Sequence, residues 1–82
     1  MNESESVEKR VMGIVGEIFK VPAENISRET KFTDDLHAKS IDIVALLAAL
    51  GGEFGISVSS QEVQSNQTVG QAIDYIKERI KG

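Results

Sequence analysis

Asp35-Leu36-His37-Ala38-Lys39-Ser40-Ile41-Asp42 runs without a break into Ile43-Val44-Ala45-Leu46-Leu47-Ala48-Ala49-Leu50, and the reading of this stretch decides the fold. A polar loop turns here into an apolar helix, predicted over about residues 40–54 and closed by Gly55 as a left-handed C-cap. Ser40 stands at the junction. Its hydroxyl is expected to be exposed at the helix N-terminus, where free N–H groups and the positive end of the helix dipole favour an attached phosphate. Along the helix Ile43, Leu46, Leu47, Leu50 and Phe54 share one face, while Ile41, Val44, Ala45 and Ala48 form a second apolar stripe beside it. Only one stripe can face a core in a chain this small, so the other meets solvent or a partner. The alanines have a second reading, in which they raise helix propensity or tuck under the loop.

Outward from that helix, the periodicity is helical throughout. Val7, Val11, Ile14, Val15, Ile18 and Phe19 fall on one face of a first helix predicted over about residues 4–19, which Pro22 stops. Residues 21–39 then make a long connection with Ile26, Phe32 and Leu36 as apolar plugs that must pin it to the core. Beyond Gly55, Ser59 followed three residues later by Glu62 suggests one short capped helical turn ending near Val63. Thr68 with Gln71 makes a capping box for the last helix, whose stripe is Val69, Ala72, Ile73, Ile76 and Ile80, with Lys77, Arg79 and Lys81 at the end of the dipole that favours cations. The prediction is one all-α domain over residues 1–82, an up-and-down bundle of three long helices and a short one with a long first loop. Gly51 and Gly52 each cost roughly 1 kcal/mol against alanine, so the last turn of the second helix should fray unless a backbone or ligand approaches closely there.

The chain has 82 residues, a 40% hydrophobic content and a net charge of −4, enough to bury an apolar core near the lower size limit for doing so. It contains no cysteine, which excludes disulfides, thiolate metal sites and a thiol nucleophile and suits a reducing compartment; the cytoplasm is the expected location. The acidic start Met-Asn-Glu-Ser-Glu-Ser leads into no apolar run of signal-peptide or membrane-spanning length, so no membrane insertion is expected. Residues 40–76 hold Asp42, Glu53, Glu62 and Asp74 and neither lysine nor arginine. A stretch without cations cannot neutralise phosphates, which argues against nucleic-acid binding.

Two catalytic or metal readings attach to the same loop. A serine nucleophile needs a base and a group to orient it, and His37 with Asp34 or Asp35 are the local candidates. Neighbours in one exposed loop are poorly preorganised and imply no pocket. Asp34, Asp35, His37 and Asp42 have the ligand types of a metal site, although a solvated acidic loop is the better account of them.

Asp35, Leu36, Ala38, Ser40 and Asp42 resemble the carrier motif of acyl carrier proteins, Asp-Leu-Gly-Ala-Asp-Ser-Leu-Asp. Phe32 ahead of the motif, Glu53-Phe54-Gly55-Ile56 at the close of the second helix, and Thr68-Val69 through Ala72-Ile73-Asp74-Tyr75-Ile76 extend the resemblance over nearly the whole chain. It implies a substrate of enzymes rather than an enzyme. In this scheme a phosphopantetheinyl transferase attaches 4′-phosphopantetheine from coenzyme A to Ser40, and the terminal thiol carries acyl groups as thioesters between the acyl-transferring and acyl-processing enzymes of fatty-acid, lipid or polyketide-type biosynthesis. The matching positions of the docking face are Ile41, Asp42, Val44 and Ala48, flanked by Lys39 and Ala45. Those of the interior that receives the acyl chain are Phe32, Leu46, Leu47, Leu50, Val63, Ala72 and Tyr75. A monomer is expected. The alternative is a helical adaptor that binds a partner through the apolar stripe without any prosthetic group.

Departures from the family pattern distinguish this chain. His37 replaces the usual glycine, Lys39 the usual acid, Ile41 the usual leucine, and Ala45, Gly51 and Gly52 stand where glutamates are common. Acidic steering is weakened, which points to a specialised pathway whose partners read apolar contact over negative charge. Asn66 replaces an aliphatic residue beside the cavity and means either a more polar cargo or a longer loop.

Overall fold

Valines at 7, 11 and 15 draw one unbroken line down the first helix, and all three are buried. The computed structural model describes the backbone of residues 3–58 and 68–81. Helix α1 spans Glu3–Phe19 and α2 spans Ser40–Phe54. Helix α3 spans Val69–Lys81. A single 3₁₀ turn, Ala23–Asn25, follows Pro22 in a segment read from sequence as irregular loop. The short turn predicted at Ser59–Val63 lies outside the described residues, as do Val63 and Asn66.

The core unites the three helices and the first loop. Val7, Val11 and Val15 of α1 meet Leu46 and Leu50 of α2 and Val69, Ala72, Ile73 and Ile76 of α3, with Ile26 and Phe32 plugging in from the loop. Ile14, Ile18, Phe19, Leu36 and Phe54 pack half-buried around this centre, and the Phe19 and Phe32 rings lie 6.2 Å apart in a tilted pair. The stripe predicted for α3 is buried only as far as Ile76. Ile80 is 39% exposed, because the packed centre does not reach the helix's last turn.

The two stripes of α2 separate as their geometry demands. Leu46 and Leu50 are 1% and 2% exposed, and Phe54 packs half-buried on the core. Ile43 and Leu47 are half-buried at the margin of the helix. On the opposite side Ile41 is 74% and Val44 61% exposed, with Ala45 and Ala48 exposed beside them. Tucking the alanines under the loop is thereby corrected: the loop's plugs face the core instead.

The last turn of α2 continues to Phe54, and at Gly51 a backbone approaches closely, the exception under which that turn was expected not to fray. The Ile56 N–H donates to the Gly51 carbonyl at 3.2 Å across Gly55, whose φ of 65° is the left-handed conformation that glycine takes freely. A Cβ on Gly51 would sit 2.9 Å from the Ile56 carbonyl oxygen, so this close approach requires glycine there. Arg10 of α1 then clasps the end, donating to Glu53 Oε2 at 2.7 and 2.9 Å and to its carbonyl at 3.2 Å while stacking 4.5 Å over the Phe54 ring. Nothing stands near a Cβ on Gly52. Gly52→Ala is therefore expected to stabilise the chain by about 0.5–1 kcal/mol, through lower unfolded-state entropy alone.

The long loop is pinned by more than its plugs. The Val69 N–H donates to the Thr30 carbonyl and the Gly70 N–H to the Arg28 carbonyl, both at 2.9 Å, and Lys31 and Thr68 form a lone antiparallel bridge. Arg28 Nη2 reaches both Asp74 carboxylate oxygens at 2.9 Å, and its other terminal nitrogen lies 3.6 Å from Glu8. The bond to Asp74, with smaller contributions from its charge and that of Glu8, raises the Arg28 pKa against the opposing effect of burial. A Cβ on Gly70 would come within 2.9 Å of the Arg28 carbonyl oxygen and 3.0 Å of its Cβ. Gly70→Ala should cost about 1–3 kcal/mol despite alanine's better helix propensity, because the obstacle is hydrogen-bonded backbone that cannot step aside. Urea denaturation of the two alanine variants should give midpoints displaced in opposite directions.

Candidate functional site

Residues 31–38 coil into a run of backbone bonds before α2 begins. The Asp35 carboxylate accepts the Lys31 N–H at 2.7 Å, and the Asp35 and Leu36 N–H groups return to the Lys31 carbonyl at 3.0 Å. His37 donates to the Thr33 carbonyl at 3.2 Å and Ala38 to the Phe32 carbonyl at 2.9 Å. Phe32 is buried, while Leu36 and Ala38 pack half-buried on the core, so the coil is fastened from within. Closing it puts His37 at a φ of 54°. A left-handed backbone explains why glycine suits this position, and a side chain there costs about 1–2 kcal/mol. His37→Gly should stabilise the chain by about 0.5–1 kcal/mol after glycine's larger unfolded-state entropy is subtracted. A lower urea midpoint for that variant would contradict this account.

Lys39 follows in extended conformation as the N-cap of α2. Its N–H donates to Asp42 Oδ2 at 3.0 Å, half of a capping box. The other half is missing, because an ammonium has no lone pair to offer the helix's first N–H groups. Between these two residues Ser40 begins the helix with its side chain exposed, and its hydroxyl makes no hydrogen bond to a described residue. Lys39, Ile41, Val44, Ala45 and Ala48 surround or continue from it on one exposed face, with Asp42 half-buried.

The nucleophile and metal arrangements do not assemble. Asp35 and Asp42 are turned onto backbone N–H groups, and Asp34 lies 3.9 Å from the Lys31 ammonium. The His37 side chain makes no bond to any of them, so no base is oriented toward Ser40. Among the described residues no group of three or more His, Cys, Asp or Glu side chains could hold a metal ion, and no helix is long and apolar enough to cross a membrane.

Of the residues expected at the interior, Phe32, Leu46, Leu50 and Ala72 meet in one buried cluster and Tyr75 packs half-buried against it. Leu47 is half-buried and Val63 lies outside the described residues. Sequence reading missed Arg28, Asp74 and Gly70, which hold the loop carrying the serine. No local pattern marks them, since the partners lie 42 and 46 positions apart.

Comparison with known proteins agrees with this geometry. The phosphopantetheine attachment site family matches residues 9–76. Over 75 residues the chain is 40% identical to an acyl carrier protein of Porphyromonas gingivalis (strain ATCC 33277), covering 92% of this chain and 96% of that protein. It is 38% identical over 76 residues to an acyl carrier protein of Buchnera aphidicola subsp. Schizaphis graminum, covering 93% and 96% respectively. A solved structure of the acyl carrier protein from Enterococcus faecalis superposes with a TM-score of 0.78 at 32% identity, covering 96% of this chain and 99% of that one. The chain thus belongs to the acyl carrier protein family, whose members are non-catalytic carriers of acyl groups on covalently attached 4′-phosphopantetheine and are served by a phosphopantetheinyl transferase and acyl-processing enzymes.

Proposed function

We propose that Ser40 is the residue to which this chain's 4′-phosphopantetheine is attached, and that residues 1–82 act as one monomeric carrier unit in the cytoplasm. The observation that carries the reading is an exposed hydroxyl with no hydrogen bond to a described residue, on a helix N-terminus held in place by the coiled loop before it. A phosphate ester suits that position, where the dipole is positive and the first N–H groups lack a side-chain acceptor. When bound, the group supplies a thiol that holds acyl chains as thioesters.

The chain's own residues supply placement and recognition. Ile41, Val44, Ala45 and Ala48, with Lys39 and Asp42 at the rim, make the face offered to partner enzymes, because an apolar patch beside the loaded residue draws an enzyme's docking surface to its substrate. Phe32, Leu46, Leu47, Leu50, Ala72 and Tyr75, with Val63 at the corresponding family position, line the interior that shelters a short or medium acyl chain. The scarcity of acids on this face supports a specialised biosynthetic pathway, with enzymes that recognise apolar contact more than negative charge.

Incubating the chain with coenzyme A and a phosphopantetheinyl transferase tests the attachment. Intact-mass analysis should show a gain of one phosphopantetheine, and fragmentation should localise it to Ser40. A gain localised to any other residue would overturn the assignment.

A further inference from the structure

Resting on the attachment of the prosthetic group at Ser40, we infer that Lys39 is a built-in counter-ion for its phosphodiester, so that loading completes the cap that α2 lacks. The first intrahelical bond of α2 is the Ile43 N–H donating to the Lys39 carbonyl at 3.0 Å. The N–H groups of Ser40, Ile41 and Asp42 precede it and find no acceptor among the described residues. Serine, threonine, aspartate or asparagine at the N-cap would meet one of them. Lysine cannot.

The charges around Ser40 point the same way. The nearby carboxylates are already engaged, Asp42 on the Lys39 N–H and Asp35 on the Lys31 N–H. Asp34 lies against the Lys31 ammonium. Lys39 is exposed and makes no ion pair with a described residue, which leaves an unpaired ammonium on the residue next to the one to be esterified. Of the loop's other cations, Arg28 pairs with Asp74 and Glu8 and Lys31 lies near Asp34. A phosphodiester on Ser40 Oγ brings one negative charge and unesterified oxygens to this point. It accepts from the free N–H groups on one side and pairs with Lys39 on the other. An acid at position 39 would satisfy the helix itself and repel the phosphate; lysine makes the helix depend on the phosphate for its cap.

The test compares unloaded and phosphopantetheinylated protein, prepared with coenzyme A and a transferase and verified by mass. Loading should raise the Tm of the natural chain by about 4–8 °C, the shift that a gain comparable to one N-cap produces in a chain this short. The Ile41 and Asp42 amides should exchange more slowly after loading. In Lys39→Met, which keeps an apolar stem and no charge, more than half of the Tm gain should vanish, and Lys39→Arg should retain it. In the natural chain the gain should shrink as salt rises from about 0.01 to 1 M, where the screening length falls from about 30 to 3 Å. This last arm needs no variant and decides the matter even if Lys39→Met resists loading. A gain of equal size with and without the lysine charge, or one insensitive to salt, overturns the counter-ion and leaves Ser40 as the attachment residue. Loading at a residue other than Ser40 overturns both.

Discussion

Ser40→Ala should leave the fold intact and reduce phosphopantetheine loading to background. The hydroxyl is exposed and bonds to no described residue, so its removal strands no partner among them and opens no cavity. Alanine is the best helix former and is tolerated at the first helical position, which keeps the stability change within about 0.5 kcal/mol. Nucleophile replacement is less forgiving, because a methyl group offers no oxygen to esterify. Other described serines are poor substitutes. Ser6 lies within α1 and is half-buried, and the Ser27 hydroxyl lies 3.3 Å from Thr30 Oγ1 in a turn of the first loop. Ser57 is exposed but follows the close of α2, its carbonyl accepting from Arg79 at 2.9 Å, so none of the three stands at the start of a helix behind a pinned coil. Intact mass after incubation with coenzyme A and a transferase, together with an unchanged far-ultraviolet spectrum, checks the outcome. Loading at the natural rate would sink the assignment.

Leu46 and Val44, two positions apart on α2, should separate stability from partner recognition. Leu46 is 1% exposed in the centre of the core, and truncation to alanine should cost about 2–5 kcal/mol through lost transfer energy and an unfilled cavity. That is a large fraction of the roughly 5–15 kcal/mol that holds a domain together, and a urea midpoint should fall accordingly. Val44 is 61% exposed on the opposite face, so Val44→Ala should change folding by no more than about 0.5 kcal/mol. Its effect should appear with the loaded chain as substrate of an acyl-processing enzyme, where kcat/KM falls at least about fivefold, the equivalent of roughly 1 kcal/mol at an apolar anchor. The crossed result, with Val44→Ala unfolding the chain and Leu46→Ala sparing it, would mean that the two faces of α2 had been exchanged.

Much of this arrangement was legible before any coordinates. The valine line of α1, the Thr68 and Gln71 capping box and the left-handed cap at Gly55 are local patterns, and each is present: Gln71 Oε1 accepts the Thr68 N–H at 3.0 Å and Thr68 Oγ1 the Gln71 N–H at 3.2 Å. Helix α2 starts at the residue expected, because a change from polar to apolar spacing is itself the boundary. The stripes of α2 could be drawn but not assigned in full, since periodicity says which residues share a face and leaves open what covers it. Exposure of Ile41 and Val44 settles that question for the second stripe.

Contacts between distant segments were not legible. Gly51 reads in sequence as a weakness in a helix, and only the Ile56 carbonyl folded back against it turns the glycine into a requirement. Gly70 and Arg28 read as ordinary members of a helix and a loop, yet their backbones meet and Arg28 reaches on to Asp74. Arg10 shows no link to Glu53 until α1 is laid against the end of α2. Sequence by itself determined the three helices, the buried valine line and a serine at the mouth of the apolar helix, because hydrophobic spacing and caps act within a turn or two of chain. Tertiary structure alone decided which face of α2 is outward, which glycines are obligatory and how the loop bearing the serine is held, because those depend on atoms brought together from opposite ends of the chain.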